Sequence, residues 1–378
     1  NTDSYRTTWS EINVACEACH GPGSAHIRWA QAAVQKADST TDADKGLVVD
    51  LSDRDGAVWT VDPDTGKPRR SRPREQRTQI ELCARCHSRR GQIWDDYRFG
   101  QPLTDTHRLA LLDEHLYFPD GQIKDEVYVY GSFIQSRMYA EGVTCSDCHE
   151  PHSLKLRAKG NAVCTACHVA AQFDTPAHHH HANGTDGAAC TACHMPQRVY
   201  MVNDWRADHS LRVPRPDLSK VLGTPNACSA CHADKDNDWA VAAVAAWYPD
   251  SRHRGPHFGE ALQAAVNGAA DAADRLLVTA ADGSQPGIAR ATAIDRMHGL
   301  AQARHLFTLQ RLIGDDDPLV RAAVVRFLEE TDVQMQVDKG WTSLEDPDRV
   351  VRLDATRLLA PLMRQRLPEK FRAQLTAA

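Results

Sequence analysis

The chain has 378 residues, a net charge of −6 and 42% hydrophobic residues. Its length is typical of two domains. The negative charge excludes the basic surface of a nucleic-acid-binding protein. No run of about 18 apolar residues is present that could span a membrane. Cysteine and histidine are the residue types that point to a function.

All 12 cysteines fall into six C-x-x-C-H motifs. This motif attaches haem c: the two thiols add to the vinyl groups of one porphyrin, and the histidine binds the iron. The attachment residues are Cys16, Cys19, Cys83, Cys86, Cys145, Cys148, Cys164, Cys167, Cys190, Cys193, Cys228 and Cys231. The proximal iron ligands are His20, His87, His149, His168, His194 and His232. The motifs predict six covalent haem c (heme c) groups.

Other uses of paired cysteines fit this spacing poorly. Zinc sites leave the residue after the second cysteine free to vary, whereas here it is histidine in all six motifs. A disulfide framework suits a smaller secreted domain. A thioredoxin-like pair would occur once, in a βαβ context.

Residues 1–238 hold every motif and predict a hexahaem cytochrome c domain. Long periodic apolar stretches are scarce, so the porphyrins are expected to form most of the core, wrapped by short helices and irregular loops. Residues 31–82 form an insertion between the first two motifs. Apolar alternation at 46–52 and 57–62, with a turn at 62–66, predicts a small β element there. The basic stretch 67–77 is either a solvated loop or a partner for haem propionates.

Residues 239–378 contain no cysteine and show helical periodicity. Arg290, Arg321 and Arg352 recur at equal intervals in three similar apolar segments. Asp317-Pro318 and the equivalent pair at 346–347 are typical of a helix start. The period predicts a HEAT-like α-solenoid, and an irregular helical bundle is the alternative. The expected fold is therefore mainly α with much irregular loop: a haem-packed domain followed by helical repeats.

The second axial ligand decides much of what a haem does, because methionine, histidine or an open position give different potentials and reactivity. Thirteen histidines remain after the six proximal ligands. The distal candidates are His26, His107, His152, His178 or His179, His181 and His209. A metal-binding tract is the alternative for the histidine run at 178–181. Met138 is better explained as a packing residue, and His115 is a reserve ligand.

Residues 8–23, 120–133, 142–152 and 224–232 resemble doubled-CXXCH multihaem cytochromes. More distantly, the chain is similar to the nitrite reductase and hydroxylamine oxidoreductase superfamily. The resemblance implies a continuation into HEAT-like and tetratricopeptide repeats. Relatives carry further haem motifs upstream and run on beyond the C-terminal residues, so the chain is expected to be truncated at both ends relative to the family.

The sequence thus predicts a multihaem c-type cytochrome that transfers electrons along six mostly bis-histidine haems. One alternative is a reductase of a small nitrogen or sulfur oxyanion with one five-coordinate haem, for which Tyr128, Tyr130, Arg137 and Tyr139 could line a pocket. Another is a subunit of an extracellular cytochrome filament. Redox proteins are the expected partners, with self-association through haem edges or helical repeats. Haem c attachment takes place outside the cytoplasm, so a removed signal peptide and a periplasmic or extracellular location are expected.

Overall fold

The structure is a computed structural model and describes residues 6–9, 13–34, 44–52, 55–202 and 204–362. The haem-motif half is built mostly of short helices. These are α1 (Cys16–His20), α2 (Ser24–Val34), α3 (Thr78–His87), α4 (Tyr130–Phe133), α5 (Arg137–Ala140), α6 (Cys145–Cys148), α7 (Ala162–Thr165), α8 (Ala170–Phe173), α9 (Pro176–His179), α10 (Cys190–His194), α11 (Pro216–Leu222) and α12 (Asn237–Trp247). Among the described residues no helix is long and apolar enough to cross a bilayer.

Four two-stranded antiparallel hairpins join these helices. They pair β1 (Trp59–Val61) with β2 (Pro68–Arg70), β3 (Arg90–Gln92) with β4 (His107–Leu109), β5 (His149–Glu150) with β6 (Lys155–Leu156), and β7 (Gln197–Tyr200) with β8 (Asp204–Ala207). The first hairpin closes through a turn in which the Gly66 N–H donates to the Asp62 carbonyl at 2.9 Å. The alternation expected to form a strand at 46–52 forms turn and coil instead. The basic stretch contributes β2 rather than a plain loop.

Longer helices form the second half. They are α13 (Phe258–Val266), α14 (Ala272–Ala281), α15 (Gly287–Asp295), α16 (Ala303–Arg311), α17 (Pro318–Phe327), α18 (Val333–Ser343) and α19 (Arg349–Leu359). Short 3-10 turns lie between or beside the elements, at Leu103–Asp105, Asp186–Ala188, Cys228–Ala230, Arg252–Arg254, Leu312–Gly314 and Leu328–Glu330. Helices α15, α17 and α19 pack side by side in that order.

Two of the three recurring arginines bind aspartates of the following repeat. Arg290 forms a two-pronged pair with Asp315 (2.5 and 3.1 Å), and Arg321 forms another with Asp346 (2.7 and 2.9 Å). The two aspartates lie at the same sequence distance beyond their arginines, so the interaction repeats along the chain. Asp317 caps α17 by accepting from the Leu319 N–H at 2.9 Å, as Asp317-Pro318 predicts. The solenoid itself stays a prediction.

A hydrophobic core joins the two halves. Leu112, Tyr117 and Ile123 from the haem-motif half pack in one cluster with Ile288 and Ile294 of α15. Burying a side chain of this size stabilises the fold by about 1.5–3 kcal/mol. The predicted boundary at 238/239 stays untested, but the helices do complete the core of residues 109–134.

An ion-pair cluster strengthens the same junction. Arg108 on β4 donates to both carboxylate oxygens of Asp354 on α19, at 2.5 and 2.8 Å, and Arg326 donates to the same carboxylate at 3.1 Å. Asp354 is only 4% exposed. A buried carboxylate is tolerated when cations and hydrogen bonds compensate for its lost hydration, as the two guanidinium groups do here.

The segment between 145 and 199 has almost no core of its own. Its one buried apolar side chain among the described residues is Ala188, although the segment carries three of the six motifs. A polypeptide stretch this long with so few buried apolar side chains needs another group to supply the apolar surface of its core.

Candidate haem sites

Short helical turns carry the thiols of the motifs, and in the first, second and fifth motifs the same helix also carries the proximal histidine. Residues at i, i+3 and i+4 of a helix lie on one face, and these are the spacings of C-x-x-C-H. The first and fifth motifs coincide with α1 and α10, and the second occupies the end of α3. The sixth lies on a 3-10 turn, Cys228–Ala230. None of the twelve cysteines forms a disulfide, so all twelve thiols are available for attachment.

Four of the six proximal histidines face a second histidine. The ring centroids of His20 and His152 are 6.2 Å apart with planes at 9°. His149 and His209 are 6.3 Å apart at 22°. The other two pairs are His178 with His194, at 6.2 Å and 11°, and His181 with His232, at 6.1 Å and 35°.

This separation is too long for direct stacking and fits a metal between the rings. A metal–imidazole bond is about 2.0 Å long and the ring centroid lies about 1.1 Å beyond the bound nitrogen, so two imidazoles on opposite sides of one iron have centroids about 6.2 Å apart. All four pairs match that value closely. The residues therefore fit the haem that the motifs imply.

The four distal rings each have Nδ1 engaged in a hydrogen bond. His209 bonds the Ala207 carbonyl at 2.9 Å, His181 the His179 carbonyl at 2.5 Å, His178 the Tyr248 hydroxyl at 3.3 Å and His152 the Glu150 carboxylate at 3.2 Å. With Nδ1 as the donor, the tautomer leaves the Nε2 lone pair free. A histidine that binds a metal ordinarily donates its other nitrogen in this way.

Burial keeps several of these rings neutral. It lowers the pKa of His149 and of His178, and neighbouring histidines lower both further. Burial also lowers the pKa of His209, against an opposing hydrogen bond to Ala207. Only a neutral imidazole has a lone pair for iron, so the environment favours the binding form at neutral pH.

His26 and His107 share the hydrogen-bond pattern but face no proximal ring. His26 Nδ1 bonds the Lys45 carbonyl at 2.8 Å, and its ring stacks on Trp29 at 5.5 Å. His107 Nδ1 bonds the Thr106 hydroxyl at 2.9 Å, and burial lowers its pKa. Their assignment as distal ligands stays a prediction.

The histidine run at 178–181 separates into different roles. His178 and His181 face the proximal ligands of the fifth and sixth motifs, whereas His179 accepts a hydrogen bond from the His181 N–H at 3.2 Å. His180 adopts a left-handed conformation (φ 58°) and stacks on Trp247 at 4.2 Å. Within the described ranges no three His, Cys, Asp or Glu side chains gather around a point that could hold a separate metal ion.

His87 and His168 face no other histidine, although all 19 histidines lie within the described residues. The aromatic neighbour of His168 is Phe173, which meets it edge-on at 5.6 Å. Phe173 also meets His178 edge-on at 5.4 Å and so lies between the fourth and fifth motifs.

Helix α12 offers apolar surface to the fifth and sixth sites. It is apolar on most sides, but Ala240 is its one fully buried residue. Trp239 lies 4.8 Å from His232, and Trp247 stacks on His180. A helix that is hydrophobic all round is normally buried, so the open apolar surface of α12 fits a site for porphyrin faces.

Neighbouring motifs in the chain adjoin in space. The Ser146 N–H of the third motif donates to Gln79 of α3, which carries the second motif, at 3.1 Å. Asn161, before the fourth motif, accepts from the Cys190 N–H of the fifth at 2.9 Å. The nearby Cys83 thiol raises the pKa of the Cys145 thiol, so the two motifs are neighbours. These contacts place the second motif next to the third and the fourth next to the fifth.

Two hydrogen-bond partners of the distal rings were not anticipated. Glu150 precedes His152 by two positions, and a carboxylate so close to a candidate ligand could have been predicted as the hydrogen-bond partner of its ring. Tyr248 lies far beyond His178 in the chain, and no sequence pattern connects the two.

A family model described as the doubled CXXCH motif matches residues 138–173, which contain the third and fourth motifs. No curated protein matches the chain. Among solved structures, the crystal structure of the outer cell wall cytochrome OcwA aligns with a TM-score of 0.39 and 16% identity, covering 85% of this chain and 71% of that one. The doubled-motif match and the six C-x-x-C-H sequences support a multihaem c-type cytochrome.

Proposed function

We propose that the chain is an electron-transfer protein with six covalent haems, four of them held between two histidines. The single observation that carries this proposal is the set of four histidine pairs, each joining a motif histidine to a second ring at 6.1–6.3 Å. When bound, each haem supplies an iron that alternates between the ferric and ferrous states. Two strong imidazole ligands leave that iron no open position for substrate.

The protein residues supply attachment, orientation and proximity. Thiols fix each porphyrin, and the hydrogen bonds to Nδ1 hold the distal rings in place. Contacts between successive motifs, such as Asn161 with Cys190, support a haem array in which electrons pass between close neighbours. Because haem c is attached outside the cytoplasm, we place the protein in the periplasm or beyond. Redox proteins are its proposed partners, and self-association stays a prediction.

Electron paramagnetic resonance of the oxidised holoprotein at low temperature tests the proposal. We expect low-spin ferric signals that integrate to at least four irons per chain, with the haem content fixed by the pyridine haemochrome assay. A spectrum in which high-spin iron exceeds two per chain would overturn the bis-histidine assignment.

A second candidate function is reduction of a small nitrogen or sulfur oxyanion at the haem of His168. The observation that favours it is that no histidine faces His168, while the cation Lys67 acts on this histidine. The Val169 N–H donates to the Gly66 carbonyl at 3.3 Å, which places Lys67 beside the motif. Burial lowers the pKa of Lys67, and the charges of Arg252 and Arg137 lower it further. An anion would be attracted to this position.

Nitrite and sulfite are suitable probes of that second function. It predicts a high-spin signal that changes when one of these anions is added, together with oxidation of a reduced viologen dye. A Lys67→Gln variant should weaken the anion response, whereas Lys339→Gln on the distant helix α18 should not. An unchanged high-spin signal at millimolar nitrite and sulfite would remove this candidate.

A further inference from the structure

The four histidine pairs differ in the groups that form hydrogen bonds with Nδ1 of their rings. Backbone carbonyls bind Nδ1 of His209 and His181, and a carbonyl also binds the proximal His194 at 2.8 Å. A neutral hydroxyl binds His178. His152 alone among the four distal rings is bound by a carboxylate, that of Glu150.

The Glu150 carboxylate is fixed in place by the turn that carries His152. One oxygen accepts from the Ser153 N–H at 2.6 Å, and the other faces the His152 ring and its N–H, at 3.2 and 3.4 Å. The side chains lie at the surface, where a glutamate is ionised at neutral pH. The negative charge is therefore present and aimed at the ring.

The opposite ligand of the same pair has no such partner. Nδ1 of His20 is buried and makes no hydrogen bond to the described residues. Among the described residues, Glu150 is thus the one polar group seen to hydrogen-bond either imidazole of this pair.

A carboxylate bonded to Nδ1 makes Nε2 a stronger donor to the metal. Stronger donation and a nearby negative charge both stabilise ferric iron relative to ferrous iron. We propose that Glu150 sets the reduction potential of the haem attached at Cys16 and Cys19, making it the lowest of the four bis-histidine haems. This inference rests on the proposed function, because it requires His152 to be an iron ligand.

The test uses the holoprotein and Glu150→Gln, which keeps the side-chain shape and a hydrogen-bond acceptor but removes the charge. Spectroelectrochemical titration should show one haem potential raised in the variant. We expect about a tenfold change in its reduction equilibrium, which corresponds to about 59 mV for one electron. Glu345→Gln, at an exposed position in the helical half, removes an equal charge and should leave all potentials unchanged.

Two further measurements assign the shifted potential to the haem attached at Cys16 and Cys19. The low-spin signal of one haem should change its g values in Glu150→Gln, because the electron donation from His152 changes. A variant lacking the first haem through Cys16→Ala and Cys19→Ala should lose the same component that shifts. If that variant does not accumulate, the g values alone decide.

His152→Ala distinguishes a failure of the proposed function from a failure of the role proposed for Glu150. If the number of low-spin haems is the same as in the unsubstituted protein, His152 is not a ligand and the proposed function loses this pair. If it converts one haem to high-spin while Glu150→Gln changes neither potentials nor g values, the pair stands and the role of Glu150 is refuted.

Discussion

Replacing His209 by alanine tests a pairing between two separate segments. His149 lies on β5 and His209 follows β8, and the structure brings their ring centroids to 6.3 Å. Alanine removes the ring and its hydrogen bond to Ala207. If the pair encloses an iron, that iron loses its sixth ligand, and one of six haems becomes high-spin.

The expected size of the change in spin state follows from the number of haem motifs. About 17% of the ferric iron should move from low-spin to high-spin signals, since each haem contributes one iron. Loss of one neutral hydrogen bond costs about 0.5–1.5 kcal/mol, which leaves the fold intact. Added imidazole should occupy the space left by the ring and restore the low-spin signal.

Electron paramagnetic resonance and the high-spin charge-transfer band near the red end of the visible spectrum measure this change together. His115→Ala is the matched control, because His115 is exposed and faces no motif histidine. An unchanged spin distribution in His209→Ala, with all six haems attached, would refute the ligand assignment. The separation of the two rings would then be a packing coincidence.

Three other substitutions test the remaining structure. Gly187→Ala should produce one high-spin haem, because a Cβ at this position would lie 2.4 Å from the His181 ring and displace it. Asp354→Asn should destabilise the chain by about 2–4 kcal/mol in denaturant titrations, because two guanidinium groups lose their buried counterion. Burial lowers the pKa of His257 in the folded chain to about 4. As the pH falls, the unfolded chain therefore binds a proton at this histidine before the folded chain does. Stability should fall by up to about 3 kcal/mol as the pH drops from about 6.5 to about 4, and His257→Asn should flatten that dependence.

Each of these has an outcome that contradicts it. Gly255→Ala, at a glycine with open space around its Cβ position, should leave the haem spectrum unchanged. An identical spectrum for Gly187→Ala would mean that His181 is not held against that glycine. A loss below about 0.5 kcal/mol for Asp354→Asn would mean that the Arg108 pair behaves as a solvated surface ion pair. An unchanged pH slope in His257→Asn would assign the acid sensitivity to other groups.

Local spacing was enough to propose the attachment residues and the distal candidates, and their roles stay predictions. His152, predicted from its position just after the third motif, lies opposite a proximal ring. That ring is His20 of the first motif, which lies far from His152 in the chain. No local rule yields this pairing, because it depends on how separate segments pack around groups that are not amino acids.

In the helical half too, local spacing predicted the repeated elements but not the contacts between distant segments. The interval between Arg290 and Arg321 predicted repeated helices, and both arginines bind an aspartate of the next repeat. Asp346 was expected to start a helix, but it is the ion-pair partner of Arg321, and α19 begins later at Arg349. The junction through Asp354 was not visible in the periodicity, because its partner Arg108 lies on a strand of the other half.

The open apolar surface of α12 bears on how the protein is assembled. A chain that has not yet received the proposed haems would display Trp239, Trp247 and the alanines and valines between them to water. Such a helix is prone to associate with other apolar segments. Covalent attachment of the fifth and sixth haems should therefore precede the final docking of α12. Haem attachment would then come before the final folding of α12, and a chain produced without haem should aggregate or be degraded.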